Sequence, residues 1–339
     1  MNLRYDSATS DFVDLTIICR NCATFDSQDR QNSSAHPTKV SDMPSFTAQT
    51  SLLFAGTWRD GALYGSTGND HLVGTIASEN IFADDGDDFV DGGLGNDTLY
   101  GGDGNDSMVG GSGNDVMYGG DENDIMNGDS GNDRLFGGSD FDKLYGGTGN
   151  DFLDGGSRED SVYGGDGDDQ VIGDAHSDFL FGGVGRDSLF GGTGDDDIYG
   201  GDGDDLAYGG TNSDRMYGGN GNDVMFGDKA SDSMYGGAGH DRLEGGTSKD
   251  HLWGGAGADV FVFRLESQAD EIYDFSLSQG DRIALDHRLW TGTLTISQVI
   301  AQFGSVDDGD LTLDFSTGDR LLIDNFQDLA GLVNRIDVI

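Results

Sequence analysis

One apolar residue recurs every nine positions through the middle of the chain. Three successive repeats, Gly92 to Tyr118, read GGLGNDTLY, GGDGNDSMV and GGSGNDVMY. The apolar eighth position is kept from Leu72 to Phe261, and the three residues that end each repeat predict a short strand whose middle side chain turns inward. A fixed period without insertions indicates one structural unit stacked on itself.

An acidic residue occupies the sixth position of 22 consecutive repeats, from Asp70 to Asp259, and only Glu79 departs from aspartate. Two repeats close one coil of 18 residues, so strands of successive coils stack at about 4.8 Å in two parallel sheets. The pattern therefore predicts an all-β fold, a right-handed parallel β-roll over residues 55–262.

Glycine at the first, second and fourth positions gives each repeat a tight turn. Glycine adopts left-handed and other strained dihedrals, so six residues can aim their carbonyl groups at one point. The aspartate at position six adds a carboxylate oxygen to that point. Calcium takes six to eight such oxygens, so the loops are candidate Ca²⁺ sites.

Composition supports a cation-binding protein. The 339 residues include 59 glycines, and 63 acidic residues outnumber 18 basic ones, for a formal charge of −45. This charge argues against nucleic acid and anionic membranes as partners. The 19 Phe, 11 Tyr and 3 Trp provide apolar surface to bury, which argues against a wholly disordered chain. The sequence predicts no membrane span and no Sec signal peptide.

The run resembles the RTX, or haemolysin-type, calcium-binding nonapeptide family, whose motif is GGxGxDxUx. That resemblance implies a calcium ion between loops 18 residues apart, with the sixth-position aspartate as a ligand and backbone carbonyls completing the shell. It further implies a chain that is unfolded in the cytoplasm, exported by a type I secretion apparatus, and folded by calcium outside. The expected location is extracellular or at the surface of a Gram-negative cell.

Alternate repeats lie on opposite edges of the predicted roll. One edge, here the intact edge, keeps glycine at the fourth position in the loops that end at Asp97, Asp115, Asp133, Asp151, Asp169, Asp187, Asp205, Asp223, Asp241 and Asp259. The other, the degenerate edge, has loops that end at Asp88, Asp106, Asp124, Asp142, Asp160, Asp178, Asp196, Asp214, Asp232 and Asp250.

Seven fourth positions of the degenerate edge have lost glycine: Glu122, Asp140, Arg158, His176, Asn212, Ala230 and Ser248. These side chains strain a turn that needs positive φ, and an arginine places a cation beside a cation site. We expect weak or absent calcium along much of this edge. The alternative is full loading of both edges, because Asp and Asn tolerate left-handed geometry.

The strands that follow the degenerate loops carry an aromatic column at the ninth position. It comprises Tyr145, Tyr163, Phe181, Tyr199, Tyr217, Tyr235 and Trp253. An outward column of this kind can stack against the sugar rings of an extracellular polysaccharide. The alternative is that the rings stack on one another and stiffen the sheet.

The two ends of the chain lack the nine-residue period. Residues 1–54 are predicted to be a poorly structured leader, and residues 263–339 a β-rich cap with alternating, antiparallel strands and a helix from Ser297 to Phe303. This cap resembles the C-terminal region of serralysin-type proteins. Its final residues, Asp337 to Ile339, fit the type I secretion signal of that family.

The sequence predicts no enzyme, since it lacks H-E-x-x-H, G-x-S-x-G and P-loop motifs. Three functions stay open. The first is a non-catalytic calcium-binding protein with a structural or adhesive role, and the second is a polysaccharide-binding module. The third is the carrier or export portion of a secreted enzyme or toxin.

Overall fold

The computed structural model describes residues 56–339, so the expected leader, residues 1–54, lies outside the described residues. The described chain is 55% strand and 5% helix and forms a parallel β-solenoid of about 12 turns. This confirms the predicted all-β roll.

Two sheets of 15 strands face each other. In spatial order the first sheet, which follows the intact-edge loops, comprises Thr57–Arg59, Ala62–Tyr64, Asn80–Asp85, Thr98–Asp103, Val116–Asp121, Arg134–Ser139, Phe152–Ser157, Gln170–Ala175, Ser188–Thr193, Leu206–Thr211, Val224–Lys229, Arg242–Glu244, Val260–Phe263, Arg282–Leu285 and Ile336–Val338.

The second sheet follows the degenerate-edge loops and carries the aromatic column. In spatial order it comprises Gly304–Asp307, Asp310–Asp314, Arg320–Ile323, Ala269–Ile272, His251–Ala256, Ser233–Ala238, Arg215–Asn220, Asp197–Asp202, Phe179–Val184, Ser161–Asp166, Lys143–Thr148, Ile125–Ser130, Ser107–Ser112, Phe89–Leu94 and His71–Val73.

Within the nonapeptide run each strand pairs in parallel with the strand 18 residues away, as in Thr98–Asp103 against Val116–Asp121, whereas Thr57–Arg59 pairs with Ala62–Tyr64 in antiparallel fashion. All strands from Asn80–Asp85 to Ser233–Ala238 are six residues long rather than the three expected. The reason is that the first three positions of the next repeat, including both glycines, continue the ladder: Gly102 pairs with Gly120. The turn proper therefore contains only positions four to six.

The core is a single file of eighth-position side chains between the sheets. From Leu72 to Phe261 each is at most 3% exposed, and the file includes six methionines that act as adaptable filler. Beyond the repeats it widens into a cluster that contains Phe275, Trp290 and Phe315.

The expectation of an antiparallel cap was largely wrong. Ala269–Ile272 and Arg282–Leu285 continue the two sheets in parallel, and Ile336–Val338 adds a further parallel strand. Within the cap, only Gly304–Asp307, Asp310–Asp314 and Arg320–Ile323 pair with one another in antiparallel fashion. The first cap strands are parallel because they take the places that the next repeats would occupy.

The predicted helix is present as α1, Ile296–Phe303, with a capping box between Thr295 and Gln298 and a C-cap at Gly304. Two shorter helical segments, the 3₁₀ turn His287–Leu289 and α2, Leu329–Leu332, lie in the cap. No helix in residues 56–339 is long and apolar enough to cross a membrane.

Candidate calcium sites

The predicted ligands form two columns, one along each edge of the roll. Every sixth-position side chain from Asp70 to Asp259 is at most 7% exposed. Within each column the backbone N–H of one acidic residue donates to a carboxylate oxygen of the acidic residue one coil later, over 2.6 to 2.9 Å for all pairs up to Asp259. The structure thus brings together, column by column, all 20 aspartates that the sequence singled out.

The second carboxylate oxygen of these residues is left without a partner. From Asp88 to Asp259, Oδ2 is buried and accepts no hydrogen bond. None of the ion pairs in residues 56–339 involves a sixth-position aspartate. A buried anionic oxygen with no donor or cation is costly, so a positive ligand is the expected occupant.

The first-position glycine makes the space beside this oxygen. A Cβ added to Gly92 would lie 2.8 Å from Oδ2 of Asp97 and 2.6 Å from the carbonyl oxygen of Gly110 in the next coil. The carboxylate and a backbone carbonyl therefore flank one point, and any larger residue would fill it. Carboxylate and carbonyl oxygens are the ligands that calcium prefers, so these residues fit the ion.

Side chains alone do not assemble such a site. Residues 56–339 contain no group of three or more His, Cys, Asp or Glu side chains placed to hold a metal. Each loop instead offers one carboxylate, so most ligands have to come from backbone oxygens. This matches the glycine content of the loops, since carbonyl groups reach a common point only where the backbone turns tightly.

Burial raises the pKa of the sixth-position carboxyls above their ordinary range. Desolvation raises the pKa of Asp124 to about 8, and the neighbouring carboxylates Asp142 and Asp106 add to the rise. The pKa of Asp151 on the intact edge rises to about 6 for the same first reason, against the hydrogen bond from the Asp133 backbone. Both columns therefore resist carrying negative charge unless a cation accompanies it.

The two edges differ at the fourth position, as the sequence predicted. All seven non-glycine residues there take positive φ, from 73° at Asp140 to 97° at Ser248, whereas the intact-edge glycines lie between 125° and 146°. Arg158, which we expected beside a cation site, forms an ion pair of 3.8 Å with Asp140. Both side chains are more than a third exposed, so its charge lies on the surface.

Carboxylate geometry, by contrast, is the same on both edges. The Asp97 N–H donates to Asp115 over 2.7 Å on the intact edge, and the Asp124 N–H donates to Asp142 over 2.8 Å on the degenerate edge. Lower calcium occupancy of the degenerate edge therefore stays a prediction. Its only support is the strained backbone at the non-glycine fourth positions.

A second ladder, at the fifth position, was missed. The side-chain oxygen of Asn114 accepts the backbone N–H of Asn132 over 2.8 Å, and Asn132 in turn accepts the N–H of Asn150 over 3.0 Å. These exposed bonds run toward the next coil, opposite to the sixth-position bonds. The recurrence of Asn or Asp before the sixth-position aspartate was the sequence signal. On the degenerate edge Phe141 has no such oxygen to offer Glu159.

The aromatic column stacks on itself. Tyr217 lies 4.8 Å from both Tyr199 and Tyr235 with nearly parallel rings, and Trp253 continues the stack to Tyr273 in the cap at 4.3 Å. Phe181 is tilted by 41–49° against its column neighbours.

The first sheet carries two further ninth-position stacks that the sequence analysis overlooked. One comprises Tyr64, Phe82, Tyr100, Tyr118 and Phe136, and the other comprises Phe190, Tyr208 and Phe226.

Comparison with known proteins gives the family. The chain matches the RTX calcium-binding nonapeptide repeat (4 copies) in overlapping segments from residue 56 to residue 263. No curated protein matches it.

Two solved structures are similar in part. One is the AlgE6R3 subunit of the Azotobacter vinelandii mannuronan C5-epimerase, at 26% identity and a TM-score of 0.26, covering 49% of this chain and 80% of that one. The other is the extracellular lipase LipA of Serratia marcescens, at 14% identity and a TM-score of 0.26, covering 84% of this chain and 41% of the lipase. Because the repeat match spans more than half of its length, this chain belongs to the RTX calcium-binding nonapeptide repeat family, which binds Ca²⁺.

Proposed function

We propose that this protein is an extracellular calcium-binding protein that folds on binding calcium after type I secretion and has a non-catalytic, structural or adhesive role. RTX repeats form a calcium-binding β-roll and occur usually in secreted proteins. The proposal assigns one calcium ligand to each sixth-position aspartate, with the intact edge binding most tightly.

One observation carries the proposal. Twenty aspartates from Asp88 to Asp259 bury a carboxylate oxygen that has no partner within the described chain. Burial raises the pKa of Asp187, and the carboxylates of Asp169 and Asp205, stacked one coil away on either side, raise it further. Calcium supplies the positive charge that allows them to be buried as anions. Without it, repulsion and desolvation oppose the roll, so binding and folding become one event.

The position of the final strand supports export before folding. Ile336–Val338 pairs with Arg282–Leu285, and Arg282 Nε donates to Asp337 Oδ2 over 2.6 Å. The segment with the expected secretion signal is thus part of a sheet in the folded protein. An apparatus that reads an extended signal would have to bind it before the roll forms. We propose on this basis that residues 263–339 both close the roll and direct export.

The self-stacked rings favour a structural role for the aromatic column. Tyr217 is covered by Tyr199 and Tyr235 on its two faces, so a sugar ring could reach only the ring edges. Stacking on sugars requires free ring faces. We therefore place polysaccharide binding second, as a proposal that sugar-binding assays with the calcium-loaded protein can test.

Circular dichroism during a calcium titration tests the main proposal. The calcium-free chain at neutral pH should lack the strand signal and occupy a large hydrodynamic volume. Calcium at roughly millimolar concentration should produce the strand signal together with compaction, whereas magnesium, which demands a tighter octahedral shell, should not. A complete strand signal in EGTA would show that folding does not depend on calcium.

A further inference from the structure

Asp270 lies beyond residue 263, where the repeat match ends, yet it occupies the next place in the carboxylate column of the degenerate edge. The parallel pairing of Ala269–Ile272 with His251–Ala256 brings Asp270 into register with Asp250. The backbone N–H of Asp250 donates to Asp270 Oδ1 over 3.2 Å, just as the N–H of Asp232 donates to Asp250 Oδ1 over 2.9 Å. The cap thus supplies one more sixth-position carboxylate, at a spacing of 20 residues instead of 18.

The Oδ2 oxygen of Asp270 is buried and unpartnered, like the Oδ2 oxygens of the sixth-position aspartates inside the roll. The side chain is 1% exposed, and its Oδ2 is buried without a hydrogen-bond partner. Two neighbouring cations are engaged elsewhere, since Lys249 pairs with Glu271 over 3.0 Å and Arg264 pairs with Glu244. A carboxylate buried in this way needs a ligand or a proton.

At the start of the roll, by contrast, the second carboxylate oxygens of both columns have hydrogen-bond donors. Asp70 and Glu79, at the start of the roll, accept the backbone N–H groups of Ser66 and Thr75 on their second oxygens, over 2.5 and 3.0 Å. The chain's own donors therefore complete the carboxylates at these ends, where no acidic residue lies one coil earlier.

Asp281 ends the intact edge in the same way. It accepts the Asp259 N–H on Oδ1 over 3.1 Å, as Asp270 accepts that of Asp250, but its Oδ2 accepts the N–H of Ser276 over 2.7 Å. Asp270 and Asp281 thus hold equivalent places in the two columns, and only Asp270 keeps an unpartnered oxygen.

We propose that Asp250 and Asp270 hold a calcium ion at the junction of roll and cap, a site outside the nonapeptide run, and that the intact edge has no counterpart at Asp281. The proposal rests on the calcium-binding role of the roll and extends it to one cap residue. It makes the cap part of the calcium-dependent fold, since one ligand comes from each side of the junction. Asp250 has an unpartnered Oδ2 of its own, so two buried carboxylate oxygens are available to the ion.

Two matched substitutions in the full-length chain test the site. Asp270→Asn and Asp281→Asn each remove one negative charge from equivalent places, and each keeps an oxygen to accept the N–H of the preceding coil. Native mass spectrometry in calcium should count one ion fewer for Asp270→Asn than for the wild type, and the same number for Asp281→Asn. An unchanged count for Asp270→Asn overturns the proposal.

Crystals of the calcium-loaded wild type give an independent measurement, which decides the matter if Asp270→Asn does not fold. Anomalous difference density for calcium should lie beside Asp270 and not beside Asp281. Density in the nonapeptide loops with none at Asp270 overturns this inference and leaves the proposed function intact. A wild-type chain that takes up no calcium in solution overturns both.

Discussion

The backbone N–H of Asp97 donates a hydrogen bond of 2.7 Å to Oδ1 of Asp115, the acidic residue one coil further along. This bond orients the carboxylate and uses one oxygen, so the other faces the glycine-lined space with no donor. Each aspartate therefore has two tasks: one oxygen fixes the register between coils, and the other is kept for a cation.

The raised pKa values predict that acid substitutes in part for calcium. The pKa of Asp124 is about 8 and that of Asp151 about 6 in the folded chain, against an ordinary value of 3.8 when unfolded. Groups whose pKa rises on folding stabilise the fold fully below the unfolded value, and this contribution is lost as pH rises through the folded values. In calcium-free buffer the strand signal should be weak at pH 8 and grow toward pH 4, as measured by circular dichroism.

The control is the same pH series in saturating calcium, where the strand signal should already be complete at pH 8. Sedimentation at each pH distinguishes folding from aggregation near the isoelectric point. A calcium-free signal that is strongest at pH 8 would contradict the assignment of desolvation as the main cause of the pKa shifts.

The fourth-position turn predicts opposite effects for two matched substitutions. Gly149 on the intact edge has φ of 125°, and an added Cβ would lie 1.7 Å from the carbonyl oxygen of Gly131. Gly149→Ala should therefore cost about 1–3 kcal/mol or more of unfolding free energy. Ala230 has φ of 76° at the equivalent place on the degenerate edge, so Ala230→Gly should gain about 1 kcal/mol.

Thermal unfolding in saturating calcium measures both changes. The unfolding temperature should fall for Gly149→Ala and rise for Ala230→Gly. Shifts of the same sign in the two variants would show that the fourth position tolerates a side chain equally well on both edges.

Unequal calcium occupancy predicts unequal effects of removing a ligand. Asp151 follows Gly149, and Asp160 follows the strained Arg158. Asp151→Asn should lower the number of tightly bound ions and raise the calcium concentration at the folding midpoint, whereas Asp160→Asn should change both much less. Equilibrium dialysis and circular dichroism give the two quantities. Equal losses from the two variants would support full loading of both edges.

Much of the roll could be predicted because its period encodes each coil independently. The inward turn of Leu99, the burial of Asp97 and the positive φ at Arg158 all follow from position within nine residues. Each coil contacts mainly its neighbours, so local pattern and global fold agree.

What the sequence did not reveal depends on contacts between coils or on broken periods. The fifth-position bond from the Asn132 N–H to Asn114 is visible only once successive loops are stacked. Asp270 and Asp281 escape a search at nine-residue spacing, because insertions in the preceding loops shift them while strand pairing restores their place. The same pairing makes the cap strands parallel where alternation alone suggested an antiparallel arrangement.

The aromatic column gives the last prediction, which separates its two interpretations. Tyr217→Ala removes two ring contacts of 4.8 Å, with Tyr199 and Tyr235, so it should cost about 1–3 kcal/mol of unfolding free energy in saturating calcium. Val109→Ala is the control, since Val109 has the same place in the same sheet between the non-aromatic Asp91 and Asn127 and should lower stability much less. Thermal unfolding and binding to a glycan array are measured together. If Tyr217→Ala abolished glycan binding while its unfolding temperature stayed unchanged, the column would be a sugar-binding surface and not a stiffener of the sheet.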